Sequence, residues 1–283
     1  MISDAIESVV AQTFKDFELI IVDDGSTDGT EAVMQAWAQK DSRIHYFKKK
    51  NEERGAARNF GVQKASGEYV TFIDSDDIAY HFALETAYAQ LLSFDRPPCF
   101  ALRYEVKDKE TMKPTVPPPT VNAPLANEAL KKSNVLGCMG VFMRLDIARS
   151  LPFEEDRQFA GTEDWLLWLK LGARYPIIYN DKICFCYYQH DKRSVMGFSE
   201  EKLKYRAEQL RKYLIQDDQV VKAYGLGTIN GIYAHMLTYT SLHLAMSRKR
   251  VRSIYYLFKG IRANFSELFT RRTLGIFKNV LFG

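Results

Sequence analysis

The chain has 283 residues, 46% of them hydrophobic and 26% charged, a composition that excludes disordered, collagenous and disulfide-framework classes. Its formal charge of +4 divides unevenly: residues 1–194 hold 24 Lys and Arg against 29 Asp and Glu, a net −5, and residues 195–283 hold 15 against 6, a net +9. A basic end of this kind suggests an anionic partner, either nucleic acid or a membrane surface. The four cysteines, Cys99, Cys138, Cys184 and Cys186, read as reduced cytoplasmic thiols. Cys184 and Cys186 point the same way along a strand, but they lack the two-residue gap and the second pair of a zinc site. No secretory leader is expected, because Asp4 and Glu7 interrupt the start, and no run of about eighteen apolar residues suggests a spanning helix.

Residues 2–14 carry Ile6, Val9, Val10 and Phe14 at helical spacing and lead into FELIIV, residues 17–22, an apolar strand that ends in Asp23 and Asp24. A strand this apolar is expected to be buried in a parallel sheet, and ligands of open α/β sheets bind beyond the carboxyl ends of such strands. After the turn at residues 25–29 come a helix over 30–39, a short strand over 44–47 and a helix over 55–65. A second acidic strand, residues 68–74, then ends in Asp74, Ser75, Asp76 and Asp77. Helix and strand in alternation predict a parallel, Rossmann-like half.

Residues 96–124 contain seven prolines and one short strand, 100–106; the segment 113–119 cannot be helical and is expected to form an extended surface loop, a candidate lid. Residues 136–143 form a glycine-punctuated strand, and a helix starts at Thr162, a plausible N-cap, with Glu163 and Asp164 in its first turn. Strands over 177–179 and 183–188 follow, the second running into His190. From Ser199 the chain reads as helical to its end.

Taken alone, Asp23 and Asp24 could be a solvated turn, and Glu163 and Asp164 favourable first-turn charges. The combination is more informative. Hard oxygen ligands on a short turn suit Mg²⁺ or Mn²⁺ bridging a nucleotide's phosphates, and strand alternation places Asp74 and Asp76 on the same side of a strand end. Gly137 and Gly140 either admit a ligand to the backbone or are packing glycines; the sequence leaves both readings open.

Three stretches, FELIIVDDGSTDGT, ERGAARNFGVQKASGEYVTFIDSDD and TEDWLLWLKL, resemble the family 2 nucleotide-sugar glycosyltransferases in order and spacing over roughly residues 1–195. The resemblance implies an α/β fold, a Rossmann-like GT-A mixed sheet flanked by helices, over residues 1–195, and a basic amphipathic helical region over 196–283. It implies an inverting, metal-dependent transfer of a sugar from a UDP-sugar to a glycan or lipid-linked acceptor in surface polysaccharide synthesis, with Mn²⁺ or Mg²⁺ as cofactor. In that reading Asp164 is the general base, with Glu163 on the acceptor side. Asp23, Asp24, Arg54, Arg58, Asp74 and Gly137 bind the nucleotide-sugar, Asp24 at the uracil and Asp74 at the ribose. Asp76, Asp77 and His190 hold the metal.

Members of that family open with a strand lying between the two acidic strands, and here Met1 already begins the helix that follows it. The expectation is an N-terminally truncated domain with impaired donor binding. The competing reading is a non-catalytic nucleotide-sugar-binding or interaction subunit of the same fold. A nucleotidyltransferase would need a glycine-rich, lysine-containing loop that these residues lack.

In the basic end, Val251, Ile254, Tyr255, Phe258 and Ile261 recur at helical spacing among Arg248, Lys249, Arg250, Arg252, Lys259 and Arg262. Basic amphipathic helices with exposed aromatics lie in the headgroup region of anionic leaflets. Residues 248–283 are therefore expected to make a peripheral membrane contact, placing a cytoplasmic protein on the inner face of the membrane. Packing on the rest of the chain is the alternative, and nucleic acid is not an expected partner.

Overall fold

The computed structural model describes residues 2–116, 121, 124–189 and 199–282. The chain divides into two compact units, Met1–Asn127 with Val135–Arg193, and Glu128–Asn134 with Ser194–Gly283. His190 and residues 117–119 of the expected lid lie outside the described residues.

The first unit opens with α1 (Ile2–Val10), β1 (Leu19–Asp24), α2 (Thr30–Lys40), β2 (Ile44–Lys49) and α3 (Glu53–Lys64). Strands β1 and β2 pair in parallel, with Leu19 opposite Ile44 and Asp24 opposite Lys49. Ile6, Met34 and Ile44 form the local core beneath Leu19 and Ile21. β1 was expected to be buried, yet Leu19 to Val22 are only half-buried. The reason is the ladder: among the described residues β1 pairs only with β2, so its other edge gains no strand cover.

A second sheet holds β3 (Tyr69–Val70), β4 (Ile78–Ala79), β5 (Cys99–Asp108), β6 (Pro114–Val116), β7 (Val141–Arg144) and β8 (Ile178–Gln189), in the order β3-β7-β5-β8-β4, with β6 against β5. Helices α4 (Ala83–Ser93), α5 (Asn127–Leu130), α6 (Leu145–Ser150) and α7 (Glu163–Arg174) connect these strands. Only β5 and β8 run parallel here; the other pairs are antiparallel, so the sheet is mixed rather than the parallel one that simple alternation suggests. The expected second acidic strand shortens to Tyr69 and Val70, because residues 71–74 find no ladder partner among the described residues. Its start is tied to that of β1 through Glu18, whose carboxylate accepts from Ser66 N at 2.7 Å and Gly67 N at 2.9 Å. The two strands expected over 177–188 are one strand with register shifts, and the proline-rich segment contributes β6 instead of remaining wholly loop.

Phe100 stacks on Phe142 at 5.0 Å in the core of this sheet, beside Leu102 and Phe185. Gly140 turns there at φ +83°, and a Cβ would lie 2.7 Å from the Leu102 carbonyl, so side chains are excluded by both conformation and space. Gly55 is constrained by space alone: its Cβ would come 2.2 Å from the Glu154 carbonyl, where α3 meets the 153–155 loop. Helix α7 is buried almost all round, including Trp165, Leu166, Leu167, Trp168 and Leu169. A helix that is apolar on most faces belongs inside a domain.

The second unit contains α8 (Glu200–Gln216), α9 (Asp218–Met246), α10 (Arg250–Ala263), a 3-10 turn at Phe265–Phe269 and α11 (Arg271–Phe282). Ser199 caps α8 by accepting from Lys202 N at 3.2 Å. Ser253, Tyr256, Leu257 and Gly260 form the buried stripe of α10, leaving Val251, Ile254, Tyr255 and Phe258 exposed. A buried polar network crosses this unit. Thr238 Oγ1 donates to Glu267 at 2.7 Å, and Arg272 Nη1 reaches both Thr238 Oγ1 and the His235 carbonyl at 3.1 Å.

Arg272 Nη2 lies 3.0 Å from His235 Nε2, and because guanidinium can only donate, that nitrogen must be the acceptor on a neutral ring. Burial, then the Arg272 charge, pushes the His235 pKa down to about 3. The unfolded chain therefore binds the proton first as pH falls. Stability from this residue is fully present above the ordinary pKa of 6.5 and is lost as pH drops toward about 3. We expect an acid-side slope of roughly 1.4 kcal/mol per pH unit in urea unfolding, reduced in His235→Gln. A variant with the same slope as the parent would assign it to other groups.

Candidate active site

Parallel register builds the first part of the site by setting the end of β1 beside the end of β2. Asp23 Oδ1 accepts from Ser26 N at 2.7 Å and Oδ2 from the Tyr46 hydroxyl at 2.8 Å. Burial opposes the Asp23 charge, but these hydrogen bonds prevail and hold its carboxyl below the usual range. Both of its oxygens are engaged in shaping the turn. Asp24, opposite Lys49, accepts from Lys49 Nζ and Glu52 N, each at 3.0 Å, and its carbonyl accepts from Asn51 Nδ2 at 2.9 Å.

Helix α3 carries Arg54 and Arg58 one turn apart, on the side that meets α7. Arg58 Nη1 donates to Glu163 Oε1 at 2.8 Å and its Nη2 to Asp74 Oδ1 at 2.9 Å, while Arg54 Nε lies 3.9 Å from Glu163. The guanidinium thus joins residues 58, 74 and 163. Burial would lower the Arg58 pKa, but the surrounding negative groups, Asp74, Glu163 and Asp164 among them, outweigh it and hold the pKa well above its ordinary value. Its guanidinium carbon lies over the Phe153 ring, 5.3 Å from the centroid.

Asp74, Asp76 and Asp77 each offer an oxygen, and these lie within 4.8 Å of one another. Asp74 and Asp76 are half-buried; Asp77 is fully buried, with Tyr188 N donating to its Oδ1 at 3.4 Å. Three hard oxygen donors at this spacing fit a Mg²⁺ or Mn²⁺ ion.

Glu163 and Asp164 are neighbours in sequence with different surroundings. Glu163 is 2% exposed; its Oε1 binds Arg58, and its Oε2 accepts from Gly161 N and from Thr162 N, the latter at 3.0 Å. Thr162 stands at the N-cap position but its side chain makes no capping hydrogen bond, so the Glu163 carboxylate holds the preceding turn instead. Asp164 is half-buried, with Oδ1 accepting from Trp165 N at 2.7 Å. Of the pair, Asp164 is the carboxylate more open to a reactant.

Sequence reasoning missed Tyr104. It sits on β5, where burial, then the charges of Asp164 and nearby groups including Asp77, raises its pKa. No motif marks a lone tyrosine in a strand; only the fold puts it beside the carboxylates. Gly137 adjoins it, since a Cβ there would meet Tyr104 Cε1 at 3.3 Å, and Cys138 is buried in the field of Arg58 and Asp164.

An acidic cluster beyond the strand ends of a GT-A sheet, braced by arginines from one helix and facing the start of another, defines the class as a nucleotide-sugar glycosyltransferase fold. The model of the family described as glycosyl transferase family 2 matches residues 1–143, and the chain belongs to that family. An uncharacterized glycosyltransferase of Rickettsia felis is 51% identical over 82 residues, covering 29% of this chain and 14% of that protein. The chain thus matches only a small part of that relative's length. A putative teichuronic acid biosynthesis glycosyltransferase of Bacillus subtilis, TuaG, is 30% identical over 174 residues, covering 60% of this chain and 68% of TuaG. Among solved structures, S. aureus TarS 1-349 in complex with UDP-GlcNAc superposes with a TM-score of 0.69 at 18% identity, covering 99% of this chain and 85% of that one. That likeness concerns the fold.

Proposed function

We propose that the protein is an inverting, divalent-metal-dependent glycosyltransferase. It moves a sugar from a UDP-sugar to a glycan or lipid-linked acceptor in surface polysaccharide synthesis, at the cytoplasmic face of a membrane. The observation that carries this reading is the convergence of carboxylates from distant segments: Arg58 binds Asp74 and Glu163 together, and Asp76 and Asp77 lie within 4.8 Å of Asp74. The UDP-GlcNAc held by TarS supports the donor class, and the name of TuaG supports the polysaccharide setting.

Asp74, Asp76 and Asp77 would hold the ion, with His190 as a further ligand. An ion held there would neutralise the charge of a departing diphosphate as a Lewis acid. Asp164 would take the proton of the attacking acceptor hydroxyl, on the side of the sugar opposite the leaving group. Glu163, with its oxygens engaged, acts as a positioning residue that fixes the turn before α7 and anchors Arg58. Asp24, Arg54, Arg58 and Gly137 line the donor side.

Release of UDP from UDP-sugars, measured with Mn²⁺ and with EDTA, tests the reading. EDTA should abolish release. Asp76→Asn should raise the Mn²⁺ concentration for half-maximal release by about tenfold to a hundredfold, a range set by the loss of even an outer contact at a metal site. Release indifferent to both would sink the metal assignment.

A further inference from the structure

Among the described residues, the second unit leaves apolar side chains exposed on three successive elements. α10 presents Val251 at 81% and Phe258 at 67% exposure, the 3-10 turn presents Phe269 at 76%, and α11 presents Leu274 at 69% and Leu281 at 65%. α9 packs against the opposite sides of these elements: Leu237 and Leu244 meet Tyr256, and Ala245 meets Leu257 and Ile276. The exposed residues therefore point away from α9. On α10 the exposed Val251, Ile254, Tyr255 and Phe258 share one helix face, and an exposed apolar patch of this kind marks an interaction site.

Charge decides what covers it. Residues 246–283 hold nine Lys and Arg against one acidic residue, Glu267, and that carboxylate is buried and bonded to Thr238. Arg252 pairs with Glu200 and Arg272 is half-buried, but Arg248, Arg262, Arg271 and Lys278 are exposed along the same stretch of chain. A twofold contact with a second copy would bring this net positive surface against itself. An anionic bilayer satisfies both features at once, with acyl-chain boundary for the rings and phosphate headgroups for the cations. No helix among the described residues is long and apolar enough to cross a membrane, so the contact lies in the interface.

We propose that the exposed face of α10, the Phe265–Phe269 turn and α11 form a docking surface for anionic phospholipid, with aromatic and aliphatic side chains inserted and Arg248 and Arg262 at the headgroups. This deepens the membrane setting proposed above and names its residues; it does not depend on the transfer chemistry.

The test is sedimentation of the full chain with vesicles of phosphatidylcholine plus phosphatidylglycerol, and with phosphatidylcholine alone. Binding should require phosphatidylglycerol and weaken as salt rises. Phe258→Ser with Phe269→Ser should weaken it about tenfold for each ring lost, and Arg248→Gln with Arg262→Gln about fivefold for each charge lost. All four side chains are solvent-exposed, so circular dichroism should be unchanged. UDP release from a soluble donor, measured on the same variants, should match the parent, which separates failure of docking from failure of the transfer reading. Absence of pelleting, or pelleting unaffected by both pairs, overturns the proposal. So does a concentration-dependent dimer in analytical ultracentrifugation that the same variants dissolve, which would assign the face to a second copy.

Discussion

Asp164→Asn is expected to reduce turnover by about 10²- to 10⁴-fold, the contribution typical of a positioned general base, while donor affinity stays within a few-fold. The variant is suitable because asparagine retains the Oδ1 acceptor that receives Trp165 N at 2.7 Å, so the start of α7 should survive. What it lacks is the charge and basicity needed to take a hydroxyl proton. Single-turnover UDP release with saturating acceptor, together with donor binding by calorimetry, separates the two effects. Parent-like turnover would remove Asp164 from the chemistry; a parallel loss of donor binding would assign it to recognition. Glu163→Gln provides the contrast, since its partners are structural: instability should accompany any loss of rate.

Arg58→Met is expected to destabilise the first unit by about 3–5 kcal/mol, the cost of removing one partner from a buried ion pair. The magnitude follows from what remains. Glu163, 2% exposed, would lose the guanidinium 2.8 Å from its Oε1, and Asp74 would lose its partner at 2.9 Å. Urea unfolding followed by tryptophan fluorescence reports this region directly, because Trp165 and Trp168 lie on α7. Adding Glu163→Gln to Arg58→Met should recover part of the loss, as the uncompensated charge is removed. Arg58→Lys should recover less than arginine provides, since one ammonium cannot reproduce the two-pronged bridge. A double variant no more stable than Arg58→Met would show that packing, not charge, sets the effect.

Some of this site was legible in the sequence because it is local. Asp74, Asp76 and Asp77 lie within four positions, so the turn that holds them brings an oxygen of each within 4.8 Å of the others. The Asp24 turn and the helices α2 and α3 follow from short-range spacing and were found near their predicted bounds. Strand length was not legible in the same way. Residues 68–74 have strand character throughout, but a strand exists only where a neighbour offers its backbone, and only Tyr69 and Val70 find one. On α10 the pattern showed an apolar stripe without showing which stripe packs; Tyr256 and Leu257 took α9, leaving Val251 and Phe258 outside.

The difference between Glu163 and Asp164 shows the same division. Adjacent carboxylates at a helix start are interchangeable in a sequence, and only contacts made at long range separate them. Arg58, 105 positions away, takes Glu163 and leaves its neighbour more open. The sequence by itself determined the family, the acidic turns and the basic helical end, because each depends on residue type and short spacing. The tertiary structure decided which carboxylates are bound by arginine, where the sheet ladders stop and which side of α10 faces solvent. Those outcomes depend on partners brought together by folding, and burial and hydrogen bonding are properties of pairs.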